Sequence, residues 1–383
     1  MSRSNRRMGT ITRNKTHISK RLFSTAAISC IFCLVTALLL AMFSSMITGN
    51  ATFAQAATPK YLVAQDGNGN YTTIQAAVNA VPANNTQPVV IYIKNGTYSK
   101  VVTIPKNKPF ITFYGQNKNK TIISYNNYAS KPKPGGGTYG TSGSATMFVN
   151  ANDFTATNLT IQNTHGAGSQ AVALYVTSDR DLFTNVQILG RQDTLYADGG
   201  RQYYNHDYIA GSVDFIFGNA TAVFEDDELH NVAGGSVTAQ SRTSASQTSG
   251  YVLIHDQLTR SSQTPAQSTI LGRPWRPYSR VVYLSCSMDS HITPTGWDDW
   301  DNLANQQTAF FAEYNSTGHG ANPTARVPWS KQLTKQETTQ FSVSNFLNQD
   351  GWLTTAEKSL NSLLKIGFPQ PSVQKTHQKA PNQ

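Results

Sequence analysis

One recurrence constrains this chain more than any other feature. Gln170 and Gln192 lie 22 residues apart, and Asp193 and Asp214 lie 21 apart. Around them, short β-branched runs are separated by Gly, Asn and Asp turns: Val89–Ile93, Phe110–Tyr114, Thr121–Ile123, Leu159–Ile161, Val186–Leu189 and Tyr251–Ile254. Such runs read as strands. They do not alternate with long helices, which disfavours a doubly wound α/β fold. A sandwich or barrel is open on length, but a repeat just over twenty residues long fits one coil of an all-β parallel β-helix better. Each coil of that fold stacks on the last at about 4.8 Å, so residues one repeat apart sit over one another. Tyr61–Ala64 reads as the first strand. Thr72–Val78 reads as a short helix, stopped near Pro82 and placed to cap the first coil, whose sheet edge would otherwise be unpaired. Two helices are expected near the other end, at Ser344–Asn348 and Thr355–Lys365, and Lys131–Gly143 reads as a Gly/Pro loop.

Charge excludes less than it suggests. The 383 residues carry a formal net charge of +10, but seven basic residues and no acid fall within residues 1–56 (Arg3, Arg6, Arg7, Arg13, Lys15, Lys20, Arg21). The remainder holds 24 basic against 21 acidic residues, so nucleic acid is not an expected partner. After Arg21 comes an uncharged, mostly apolar run from Leu22 to about Ile47, then Ala54-Gln55-Ala56, a small-x-small cleavage pattern. Residues 1–57 are therefore expected to be an export signal, or an uncleaved anchor, since the run is near spanning length. Residues 58–368 form the expected β-helix domain, secreted and acting as a monomer by default, and 369–383 a polar tail. Cys30 and Cys33 fall in the leader; Cys286 alone remains, so no internal disulfide is expected in the mature domain.

The recurrence also assembles chemistry. It puts Gln170, the pair Gln192-Asp193, and Asp214 on one face of three successive coils. Two carboxylates about 5 Å apart cannot both ionise freely, so one is held protonated. That division suits a nucleophile and a general acid. Side-chain amides donate to a developing oxyanion, and Arg273 can hold one carboxylate ionised through a bidentate pair. Trp275 and Trp297 offer flat faces of the kind that stack on sugar rings, and Phe215 and Phe217 flank Asp214. Taken singly, each residue has a plainer reading as a turn former, surface charge or packing group.

Gly96-Thr97-Tyr98, Gln170-Ala171-Val172-Ala173-Leu174, Gln192-Asp193-Thr194-Leu195-Tyr196, Asp214-Phe215-Ile216-Phe217-Gly218 and Leu271-Gly272-Arg273-Pro274-Trp275 stand in order over residues 60–330. Together they resemble the signatures of the pectinesterase family, the pectin methylesterases, which are right-handed parallel β-helix enzymes. The resemblance implies hydrolysis of galacturonate methyl esters in pectin, with no cofactor and no metal. It implies that Asp214 is the nucleophile and Asp193 the acid and base. Gln192, assisted by Gln170, becomes the oxyanion donor, and Arg273 orients Asp214. Trp275, Trp297, Phe217 and Thr141 become substrate contacts. The chain departs from the pattern at Lys100, where the family's first signature usually ends in Glu. It departs again near Asp207 and Asp227, where many relatives carry a disulfide. No inhibitory pro-domain is expected before the catalytic region.

Other classes fit less well. A pectate lyase needs an acidic calcium cluster. A glycosidase could use two carboxylates at this spacing, but paired glutamines suit an acyl oxyanion better. A non-catalytic polysaccharide-binding β-helix would keep the groove without the chemistry. No Gly-x-Ser-x-Gly elbow and no His-Glu-x-x-His spacing is present. Eight lysines and no acid lie between Asp66 and Asp153, either a solvated basic face or a track for polygalacturonate.

Overall fold

The computed structural model describes residues 60–369. Three parallel sheets, of eleven, eight and seven strands, wind into one β-helix. A single coil shows the logic. Asp181–Thr184 belongs to the first sheet, Gln187–Leu189 to the second and Leu195–Ala197 to the third. The next coil repeats them with Arg201–Asn205, Tyr208–Gly211 and Ile216–Gly218. Every strand pairing is parallel and links one coil to the next.

Register converts sequence position into columns. Ile123, Ile161, Ile188, Ile209, Leu229, Leu258 and Met288 pair successively along the second sheet and are buried. Phe183, Tyr204 and Phe224 stack face to face inside the first sheet, with centroids 4.9 and 4.7 Å apart. Buried tyrosine hydroxyls find acceptors: Tyr251 donates to the Ala197 carbonyl and Tyr283 to that of Leu271, each at 2.9 Å. Coils turn through residues of positive φ, among them Asn158, Asn185, His206, Asp226, His255, Ser285 and Asn315. Asn and Asp tolerate that region best among non-glycine residues. These positions lie 20 to 30 residues apart, so the coil length is uniform only locally.

The helix at Ile74–Ala80 closes the N-terminal end. Thr73 caps it by accepting from the Ala76 N–H, and Ile74, Ala77 and Val78 join the interior core. Its C-terminal carbonyls are met by one lysine of the basic stretch. The Lys108 ammonium donates to the Val78, Asn79 and Val81 oxygens at 2.8, 2.6 and 2.7 Å. Helices at Val343–Phe346 and Trp352–Ile366 sit where two were expected, the second beginning three residues earlier. They cover the outward-facing apolar residues of the first sheet, Leu182, Tyr203, Val223, Val252 and Val282, with Phe341, Leu347, Trp352, Leu353 and Leu360. Within the expected Gly/Pro loop, Gly140–Gly143 forms one helical turn. The export segment lies outside the described residues, as does all but the first residue of the polar tail. Among the described residues, no helix is long and apolar enough to cross a membrane.

Asp207 and Asp227 form a column of their own with Asp256. Each carboxylate accepts an N–H from the coil before it: Asp207 from Val186 at 2.6 Å, Asp227 from Asp207 at 2.7 Å and Asp256 from Asp227 at 2.8 Å. All three are buried, and their second oxygens have no hydrogen-bond partner among the described residues. Burial pushes all three well above the usual carboxylate range, and the neighbouring carboxylates push Asp227 further. Since the folded values are raised, the stability they supply is complete below the unfolded carboxylate range and is lost as pH rises towards the folded values. Asp227→Asn removes one titrating member. Compared by urea unfolding, the variant's stability relative to the parent is expected to be greater at pH 7 than at pH 5, by up to about 1.4 kcal/mol per pH unit. An equal difference at both pH values would show that Asp227 is ionised in the fold.

Candidate active site

Asp193 and Asp214 stand on adjacent coils of the third sheet. Leu195 pairs with Ile216, and the Asp193 N–H donates to the Val213 carbonyl at 3.0 Å, which puts the two aspartates one above the other. Both have positive φ, 63° and 51°. The left-handed residues lie just ahead of the central strands Leu195–Ala197 and Ile216–Gly218 of that sheet. Such strain is held by the surrounding coils. Gly218 completes the local turn: its φ is 119°, and a Cβ there would lie 2.3 Å from the Ala197 carbonyl.

The two carboxyls live in different surroundings. Asp214 is clamped by Arg273, whose Nε donates to Oδ1 at 2.9 Å and whose Nη2 donates to Oδ2 at 2.7 Å. The Ser236 hydroxyl also donates to Oδ1, and Ser236 Oγ accepts from the Asp214 N–H. Three charge-assisted donors on one carboxylate hold it in a fixed orientation. Asp193 has no such cation. Burial first, and the Asp214 charge second, push it up to about 8, with Arg273 opposing. Gln192 immediately precedes Asp193 and Gln170 lies one coil earlier, and neither side-chain amide is engaged by another described residue. Ala171 N–H donates to the Gln192 carbonyl at 3.1 Å, and Ala129 N–H to the Gln170 carbonyl at 2.8 Å, so both backbones are fixed while the amides stay free to donate.

An aromatic floor runs beside this group. Phe148, Tyr175, Tyr196 and Phe217 occupy one outward-facing column of the third sheet. Tyr175 and Tyr196 stack at 4.3 Å, and Tyr196 and Phe217 at 4.1 Å. Trp275 meets Tyr196 and Phe217 edge-on at 6.2 and 5.8 Å and is half-buried, as a sugar platform needs. Thr141 lies on the loop beside Gln170: its carbonyl accepts from the Ser144 hydroxyl at 2.7 Å, and that oxygen accepts the Val172 N–H at 3.1 Å. Lys131 and Lys133 lie over the Tyr139 ring of the same loop. Lys100 is exposed after the strand Gly96–Tyr98, remote in the fold from the aspartates.

One expected contact is corrected. Trp297 is only 2% exposed. It stacks on Phe311 at 4.5 Å inside the helix and offers no face to a sugar. Three residues on, Trp300 takes that place: the Arg273 guanidinium lies 3.9 Å from its ring centroid. Sequence reasoning missed Trp300 because the two indoles share one short segment and only the register decides which points in. It also missed Ser236. The signal was present, since Ser236 follows Asp214 by 22 residues, the same period that was used to join Gln170 to Gln192.

The arrangement places a clamped carboxylate beside a protonated acid, next to two free amide donors on an aromatic floor. Such a set is chemically suited to acyl transfer. If Asp193 is the acid, its proton is lost as pH rises through its folded value. The kcat/KM profile is therefore expected to fall along an alkaline limb centred near pH 8. A profile flat from pH 6 to 9 would remove Asp193 from that role.

Comparison with known proteins agrees with the geometry. The family model described as Pectinesterase matches residues 60–350. Pectinesterase 31 of Arabidopsis thaliana is 41% identical over 303 residues, which covers 77% of this chain and 94% of that protein. The solved structure of a pectin methylesterase from carrot superposes with a TM-score of 0.72 at 38% identity, over 79% of this chain and 97% of the carrot chain. A pectin methylesterase solved in complex with a hexasaccharide superposes with a TM-score of 0.68 at 32% identity, over 76% of this chain and 98% of the other. Five motifs in order, three parallel sheets and a family match over most of the chain lead to one statement: this chain belongs to the pectinesterase family.

Proposed function

We propose that Asp214 is the nucleophile and Asp193 the acid and base with which this pectinesterase hydrolyses galacturonate methyl esters in pectin. A clamped Asp214 directly stacked on a cation-free Asp193 is the observation that carries this assignment. An ionised Asp214 oxygen attacks the ester carbonyl carbon. Negative charge moves to the carbonyl oxygen, where the Gln192 and Gln170 amides donate to it. As the tetrahedral centre collapses, the bond to methoxide breaks and Asp193 gives its proton to the leaving oxygen, which departs as methanol. Asp214 is left as an acyl anhydride. A water then loses a proton to Asp193 and attacks the same carbon. The anhydride bond breaks, the galacturonate carboxylic acid is released, and both aspartates return to their starting forms.

A raised Asp193 and an oriented Asp214 serve the same cycle, because one begins it as the acid and the other as the nucleophile. Arg273 is a positioning residue here, oriented in turn by Trp300. Trp275, Phe217 and Thr141 form the substrate wall. The hexasaccharide held by the similar enzyme supports an oligogalacturonide-like polymer as ligand. We place the enzyme outside the cell, with residues 1–57 as the export segment and residues 58–368 as the working unit, a monomer whose cleft is built from one chain.

Methanol release from highly methylated pectin tests the assignment. Asp214→Asn and Asp193→Asn each keep a residue that tolerates positive φ, so folding is preserved. Asp214→Asn is expected to abolish release, and Asp193→Asn to lower kcat by about 100-fold to 10,000-fold, with polygalacturonate binding retained in both. Normal turnover in either variant would remove that residue's role. Shortened or unsaturated chains in place of methanol would mark a glycosidase or lyase instead. Arg273→Lys leaves a cation but loses the fork. It is expected to lower kcat by about tenfold or more with little change in KM.

A further inference from the structure

Asp198 belongs to no part of the catalytic group, yet its carboxylate stands at the edge of the aromatic floor. It ends the strand Leu195–Ala197 that begins just after Asp193. Tyr175 Oη donates to its Oδ2 at 3.1 Å. It takes part in no ion pair among the described residues. Beyond it opens a polar recess of about 560 Å³, lined by Asp198, Asn219, Thr221, Gln247 and Ser249. Arg201 also lines that recess, but its guanidinium is spent on Asp179 and Asp350 at 2.8 and 2.9 Å. The carboxylate is therefore open to a ligand and uncompensated. Across the floor the sign reverses: Arg276 lies 4.7 Å from the Trp275 ring and is exposed. Tyr196 sits within reach of both charges.

The reaction gives this asymmetry a consequence. Each turnover converts a neutral ester on the polymer into a carboxylate. A cleft lined only by cations would hold product at least as well as substrate. A fixed negative charge at one edge repels an ionised unit and leaves an esterified one untouched. Resting on the pectinesterase reading above, we propose that Asp198 is a specificity-determining residue that disfavours an ionised galacturonate beside Tyr175 and Tyr196 and thereby selects a neighbour that is still esterified.

The full chain and three variants test this. Asp198→Asn keeps the acceptor for Tyr175 and removes the charge; Asp198→Ala removes both; Asp198→Glu keeps the charge. The readout is kcat/KM for methanol release from pectin of high and of low methylation, together with inhibition by polygalacturonate. Asp198→Asn and Asp198→Ala are expected to narrow the preference for highly methylated pectin by about threefold to tenfold, through KM. Inhibition by polygalacturonate should tighten by a similar factor. Asp198→Glu should keep the parent ratio. The difference between the parent and Asp198→Asn should shrink in high salt, where the charge is screened. A shift in Asp198→Ala without one in Asp198→Asn would show that Asp198 only holds Tyr175, and would overturn the proposal. An unchanged ratio in both would overturn it too; if Asp198→Asn fails to fold, Asp198→Ala with the salt series decides. A parent enzyme that releases no methanol would sink the pectinesterase reading instead, which is a separate failure.

Discussion

Parallel hydrogen bonding between successive coils is the constraint on which everything else rests. It fixes register, and register turns each position of a coil into a column along the helix. What a column contains then decides its effect. Seven apolar residues from Ile123 to Met288 make a dry interior wall. Phe183, Tyr204 and Phe224 make a stack. The same geometry, applied to outward-facing positions of the third sheet, makes the floor of the cleft. A one-residue slip at Leu195 and Ile216 would send Tyr196 and Phe217 inward and break the alignment of Asp193 with Asp214. Packing and catalysis are therefore specified by one set of backbone hydrogen bonds, and the interior columns are what keep the reacting groups in line.

That dependence explains why so much was legible. The strands Val89–Ile93, Thr121–Tyr125 and Gly250–Ile254 announce themselves by β-branched runs, and the structure places them within a residue or two of expectation. The spacing from Asp193 to Asp214 equals the local coil length, so the carboxylate pair could be read directly. The remainder was illegible for physical reasons. Coil length depends on the loops between strands, and turn residues from His206 to Asn315 recur at intervals from 20 to 30, so no single period scans the chain. Trp297 and Trp300 differ only in which way a turn points them. The eight lysines looked like one track, but Lys108 is consumed in capping the first helix and Lys118 in binding Asn185 at 2.8 Å. Only side-chain geometry separates such lysines from Lys131 and Lys133, which reach the loop beside the site.

Strain and electrostatics are concentrated at the same two residues. Asp193 and Asp214 each hold a backbone conformation that most residues adopt at a cost of about 1 kcal/mol or more. A carboxyl group tolerates it better than most. The bidentate guanidinium on Asp214 repays part of that cost, and Trp300 lies over the guanidinium at 3.9 Å, so the clamp is itself held from a third element. Arg273 follows a glycine whose Cβ would lie 2.2 Å from the Thr238 hydroxyl. A larger residue at Gly272 would displace the strand that aims the arginine. The site thus depends on positions that carry no chemistry at all.

Two aspartate columns in one molecule show what makes such a stack reactive. Asp207, Asp227 and Asp256 are stacked as closely as Asp193 and Asp214, and backbone N–H groups satisfy one oxygen of each. Among the described residues no arginine enters that column, and burial is complete, so each member is pushed the same way and none is set apart from the others. Ahead of the third sheet's central strands, Arg273 and Ser236 engage one aspartate and leave the other. The two carboxyls differ as a result: Asp193 is pushed up by burial first and by neighbouring Asp214 second. Stacking carboxyls is a property of the fold; differentiating them requires a cation that reaches only one. The β-helix supplies the first for any repeated aspartate, and Leu271-Gly272-Arg273-Pro274-Trp275 supplies the second at a single height along the helix.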